Sequence, residues 1–105
     1  MEATIVSDNI KHYPVLLKEI ISVITPQHGG IFIDCTFGQG GYTKKILEYK
    51  NTNVIGLDRD IESEKIAKLI EEKYPHRFYF KNLRFSKLNE LKLKKQFEPD
   101  VIFVD

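Results

Sequence analysis

Three glycines crowd into four positions after an apolar run and an acid in Phe32-Ile33-Asp34-Cys35-Thr36-Phe37-Gly38-Gln39-Gly40-Gly41-Tyr42. No other stretch constrains the chain as much. Glycine takes positive φ freely and lets the backbone come close to a small molecule. A helix opening straight after such a loop presents unpaired N–H groups. The stretch reads as a buried strand handing over to a helix around a nucleotide-like ligand.

The rest of the chain repeats the alternation. Val54-Ile55-Gly56-Leu57-Asp58 is a second apolar run, Phe78-Tyr79-Phe80 a short third, and Val101-Ile102-Phe103-Val104-Asp105 a fourth. Residues 42–50 predict a helix with Ile46 and Leu47 inward. Asp60 suits the cap of a second helix, which carries Ile66, Ile70 and Tyr74 at spacing four and stops at Pro75. Residues 86–95 predict a basic helix with Leu88 and Leu91 inward, ended by Pro99. Pro14 fits the first turn of an initial helix with Leu16, Ile20 and Ile24 on one face. Residues 1–11 read as a loose leading segment.

The expected order is an initial helix, then β-α-β-α-β-α-β. Such alternation means an α/β fold with a parallel sheet and right-handed crossovers. Ligands of these sheets sit beyond the carboxyl ends of the strands. Three of the four strands end there in an acid: Asp34, Asp58 and Asp105.

At 105 residues one domain is the most the chain can hold. A net charge of +1 gives no global field toward nucleic acid. Lys81, Arg84, Lys87, Lys92, Lys94 and Lys95 make the tail half locally basic, which reads first as a solvated helix face. Cys35 is the only cysteine, so no internal disulfide and no multi-cysteine zinc site can form. It reads as a small packed residue. No charged-then-apolar leader and no run near ~18 apolar residues is present, so no membrane partner and a cytoplasmic location are expected.

Two cofactor classes fit a glycine loop after strand one and an acid after strand two. Asp58 lies 18 residues after Gly40, where a carboxylate accepts from adenosine ribose hydroxyls. A dinucleotide site wants Gly-x-Gly-x-x-Gly; counted from Gly38 the third glycine falls on Thr43. S-adenosylmethionine brings no phosphate, and Asp34 suits its cationic portion. Asp34 can equally hold the loop by accepting backbone N–H bonds. An NAD-binding Rossmann oxidoreductase domain and a non-catalytic RNA-binding module stay open as alternatives.

Asp34-x-x-x-Gly38-x-Gly40 resembles the first motif of class I methyltransferases, with Thr36 in place of one usual glycine. The closer resemblance lies in His12-Tyr13-Pro14-Val15-Leu16-Leu17-Lys18-Glu19, the Phe32–Thr43 stretch, Leu57-Asp58-Arg59-Asp60, Asn82-Leu83-Arg84-Phe85-Ser86 and Val101 to Asp105. Together these resemble the start of the bacterial small-subunit ribosomal RNA methyltransferase H family, also called MraW. The resemblance implies a Rossmann-like class I fold and methyl transfer from S-adenosylmethionine to the N4 amine of a cytidine in 16S rRNA, with the 30S subunit as partner. It carries the cofactor contacts onto Gly40, Gly41, Tyr42, Asp58, Phe85 and Asp105, beside Asp34 and Gly38. Tyr42 departs from the histidine often found there. Asp105 is the candidate acceptor near the reacting amine, and His12 a second candidate able to reach the active edge.

Residues 12–105 then correspond to a partial methyltransferase domain, the N-terminal half only, truncated after strand four. A bare edge on that strand is expected to leave the chain marginal, weak in cofactor binding and inactive alone.

Overall fold

The computed structural model describes residues 2–6, 12–16 and 19–104. The chain opens with β1 (Glu2–Val6) and β2 (His12–Leu16), followed by α1 (Ile20–Ile24) and a single 3-10 turn over Pro26–His28. Strands and helices then alternate through β3 (Gly30–Asp34), α2 (Gly41–Leu47), β4 (Thr52–Leu57), α3 (Ser63–Lys73), β5 (Phe78–Lys81), α4 (Lys87–Phe97) and β6 (Val101–Val104). All six described strands form one sheet in the order β2-β1-β6-β3-β4-β5. The block β6-β3-β4-β5 is parallel, as expected. Its spatial order is that of the first four strands of a Rossmann-like sheet.

Side chains alternate between two cores because successive strand residues point to opposite faces. Phe32, Val54, Phe78 and Phe103 pack with Ile24 of α1, Ile46 and Leu47 of α2, and Ala67 and Ile70 of α3. Ile33, Ile55, Leu57 and Ile102 pack with Leu93 of α4 on the other face. Burial on both faces is why these strands read as nearly unbroken apolar runs.

Three expectations are corrected. Pro14 does not begin a helix: His12–Leu16 is a strand, and the first helix starts at Ile20. Pro14 pairs with Thr4 in β2, the outermost strand, where a residue without an N–H is tolerated. Glu2–Val6, expected to be loose, forms β1; Thr4, Ile5 and Val6 are β-branched residues that suit a strand. The edge of β6 is not bare, because β1 pairs with it antiparallel through Thr4–Val104, Ile5–Phe103 and Val6–Ile102.

The basic helix is also turned. Leu88 and Leu91 are 77% and 55% exposed, while Leu93, Glu90 and Phe97 face inward. Its start matches the expectation: the Ser86 hydroxyl accepts the Asn89 N–H.

Candidate functional site

The carboxyl ends of β3, β4, β5 and β6 converge on an open cleft of about 480 Å³, within the size range of small-molecule sites. Thr36 and Gly38 form its glycine-loop side, Asp58 the end of the second parallel strand, Leu83 and Phe85 an apolar wall, and Val104 the tip of β6.

The loop is held from below. Asp34 is fully buried; its carboxylate accepts the Thr36 N–H at 3.1 Å and the Thr43 hydroxyl at 2.8 Å. Strand β3 is thereby tied to its own loop and to α2. The Cys35 N–H extends the ladder to the Phe103 carbonyl, and the Phe37 N–H reaches the Leu57 carbonyl. Phe37 is buried against Phe78 and Phe80, with ring centroids 5.4 and 5.3 Å away. This ring pins the turn to β4 and β5.

Asp58 binds the loop from the side. Its carboxylate accepts the Gly38 N–H at 2.9 Å, the Ser63 hydroxyl at 2.8 Å and the Asp60 N–H at 2.9 Å. Partial burial pushes its pKa up, but these donors and the Arg59 N–H outweigh that and hold it below the usual carboxylate range. With the Arg59 N–H counted, four donors already address a carboxylate that has about four acceptor positions, so a ligand hydroxyl shares or displaces one of them.

The glycines differ in what requires them. Gly38 and Gly40 have φ of +53° and +80°. A Cβ on Gly40 would also lie 2.8 Å from Ile70 Cδ1. Gly41 has ordinary φ, and an added Cβ would meet nothing within 4 Å. The fold itself has room for a side chain at Gly41.

The structure thus brings Gly38, Asp58 and Phe85 together. Asp34 lies beneath the loop, fully buried and bonded to the Thr36 N–H and the Thr43 hydroxyl, the placement its loop-holding alternative expects. Tyr42 turns its ring into the core, edge-on to Phe103 at 5.7 Å. Only its backbone lies at the start of α2, beside the loop. His12 is in register with Val6, which faces Ile102. That places it two strand spacings, about 10 Å, from β6, and short of the active edge. Asp105 lies outside the described residues, directly after Val104.

Sequence reasoning passed over Leu83, Thr43 and Ser63. Leu83 shared the Asn82-Leu83-Arg84-Phe85 motif with Phe85, which was the available signal. The hydroxyls that hold Asp34 and Asp58 left no comparable mark. Cys35, on the cleft wall, is a buried thiol: burial, then the Asp34 and Glu90 carboxylates, push its pKa far above the ordinary range.

The family model described as the MraW methylase family matches residues 9–105. Three similar proteins all carry the name Ribosomal RNA small subunit methyltransferase H. The one from Ehrlichia canis (strain Jake) is 39% identical over 87 residues, 83% of this chain and 29% of the relative. That from Wolbachia sp. subsp. Drosophila simulans (strain wRi) is 44% identical over 80 residues, 76% of this chain and 27% of the relative. That from Rickettsia akari (strain Hartford) is 41% identical over 91 residues, 87% of this chain and 30% of the relative. The chain spans about three tenths of the length of these curated relatives.

Proposed function

The chain belongs to the MraW methylase family, and from that premise we propose that it is the cofactor-holding part of a methyltransferase. Its cofactor is S-adenosylmethionine and its substrate the N4 amine of a cytidine in 16S rRNA, within the small ribosomal subunit in the cytoplasm. The observation that carries the cofactor half is the cleft itself. The Asp58 carboxylate, Gly38 and the Leu83–Phe85 wall meet at the carboxyl ends of parallel strands.

Asp58 takes a ribose hydroxyl by sharing or displacing one of the donors it already holds. Leu83 and Phe85 give the adenine an apolar seat. Gly41 leaves space beside the α2 backbone, where the Tyr42 contact is a main-chain one. Bound S-adenosylmethionine supplies an electrophilic methyl group.

The cytosine amine is a poor nucleophile because its lone pair is delocalised into the ring. Transfer needs a hydrogen-bond acceptor on its N–H and close alignment with the methyl. Asp105 is assigned that acceptor region because it follows Val104, which lines the cleft. His12 has no part in it, given its register two strands away.

A dinucleotide is disfavoured by Thr43. It stands where the third glycine would be, is fully buried and is bonded to Asp34. Calorimetric titration with S-adenosylhomocysteine, with NAD in parallel, tests the reading. Binding of S-adenosylhomocysteine that Asp58→Ala abolishes is expected. No binding by the unaltered chain, or tighter binding of NAD, overturns it.

A further inference from the structure

Charge is segregated along this chain. Residues 81–97 contain six basic residues and one acid, Glu90. The whole chain is only +1, so the remainder is net negative. The one acid in the segment is turned into the protein, at 2% exposure. The outward side of α4 is therefore basic without any acid of its own helix to offset it.

That side also carries apolar surface. At 100° per residue, Leu88, Leu91, Lys92 and Lys95 fall within an arc of about 100°. The arc is opposite Glu90, Leu93 and Phe97. Both leucines are well exposed, and both lysines are exposed. The strip begins at the cleft: Arg84 lines it, and α4 follows three residues later. From Leu88 to Lys95 the helix rises about 10 Å, enough to meet a short stretch of an extended nucleic-acid strand.

We propose that the outward face of α4 is the docking strip for single-stranded RNA leading into the cleft. This rests on the reading of the chain as an RNA methyltransferase and adds the surface that receives the substrate strand. Lys92 and Lys95 neutralise phosphates. Leu88 and Leu91 give apolar contact to splayed bases and riboses, as apolar wedges do elsewhere. Arg84 stands where the strand passes from the helix to the cleft. Charge complementarity selects the occupant: a polyanion with apolar faces matches lysines interleaved with leucines, whereas an apolar protein segment would leave the lysines opposite nothing.

The test uses the whole chain and a labelled single-stranded RNA of about 16 nucleotides, titrated by fluorescence anisotropy over a salt series. Lys92→Gln/Lys95→Gln is expected to weaken binding about tenfold at low salt. It should also lower the slope of log K against log salt by about 1.4, for two phosphate contacts at ~0.7 each. Leu88→Ala/Leu91→Ala is expected to weaken binding severalfold with the slope unchanged. Circular dichroism and S-adenosylhomocysteine affinity should be unaltered in both, since none of the four residues lines the cleft. Failure of the unaltered chain to bind RNA, or equal binding by the lysine variant, overturns the docking strip even where S-adenosylhomocysteine still binds. A leucine variant that loses self-association but keeps its RNA affinity also overturns it, marking a protein contact instead. RNA binding lost through the lysines supports the strip whatever the S-adenosylhomocysteine titration shows, so the two readings fail separately.

Discussion

The Asp58 carboxylate accepts the Gly38 N–H at 2.9 Å, joining the end of β4 to the glycine loop that follows β3. One side chain therefore both shapes the cleft and offers it an acceptor. The Ser63 hydroxyl, on the same oxygen at 2.8 Å, brings the start of α3 into the same junction. Loop geometry and ligand binding should respond together whenever this carboxylate is altered.

Asp58→Asn replaces a triple acceptor by an amide with only one acceptor oxygen. Cofactor affinity should fall at least tenfold, and stability by about 1 kcal/mol, the typical net worth of one such bond. The pH dependence has a definite sign. The folded-state pKa is depressed, so the stabilisation is complete above the unfolded value near 3.9 and is lost as pH falls through the folded value. Melting curves taken from pH 7 downward should show a constant gap between the two proteins above about pH 4, narrowing as pH falls further. A gap that widens toward acid would contradict this account.

Gly40→Ala and Gly41→Ala should separate folding from binding. Alanine at Gly40 meets Ile70 and must adopt a positive φ, which costs about 1–3 kcal/mol. Alanine at Gly41 meets nothing within 4 Å, so stability should change by no more than about 0.5 kcal/mol. Its effect should appear as lost S-adenosylhomocysteine affinity. Unchanged affinity in Gly41→Ala would mean that the ligand does not approach the backbone there.

What was legible in the sequence follows from what is local. β3 and β4 are buried on both faces and bounded by breakers, so their apolar runs and terminal acids stand out. The N-terminal hairpin does not. Leu16, Ile20 and Ile24 imitate a helical face, while β1 is a strand because β6 offers an edge more than ninety residues away. The facing of α4 was hidden for a similar reason. Leucines at 88, 91 and 93 supply two candidate faces, and only packing against Ile33, Ile55 and Ile102 selects Leu93. The hydroxyls of Thr43 and Ser63 acquire their roles from acids nine and five residues earlier, at spacings that mark no motif.

Thr43→Val tests the support beneath the loop. The shape is kept and one donor to a buried carboxylate is lost. Leaving a buried acceptor short costs about 1–3 kcal/mol, so a clear fall in melting temperature is expected. Thr43→Ser, which keeps the hydroxyl, should recover much of it. Equal loss in both variants would assign the effect to packing of the methyl group and not to the bond with Asp34.

Deleting residues 1–16 should bare the β6 edge that β1 covers through Ile102, Phe103 and Val104. An exposed apolar strand edge pairs with other chains. Concentration-dependent association in sedimentation experiments is expected of the shortened chain and not of the intact one. A monomeric shortened chain would show that the hairpin is not what protects the edge.

Gly56 carries the last prediction, because it links the core to the cleft. It lies in β4, in register with Asp34 and Phe80. A Cβ there would stand 2.7 Å from Phe37 Cδ1 and 3.1 Å from Phe78 Cε1. Both rings belong to the stack that pins the loop. Gly56→Ala should therefore push Phe37 out of its seat and cost about 1–3 kcal/mol through overpacking. Gly38, the next residue, should lose its alignment with Asp58, so S-adenosylhomocysteine affinity should fall in the same variant. Phe37→Leu removes the ring edge that collides with the new methyl. In the double variant the two losses should add to less than their sum, a coupling of about 0.5–3 kcal/mol for residues in contact. Strict additivity, measured by denaturant unfolding of the four proteins, would show that Gly56 is not there to seat Phe37.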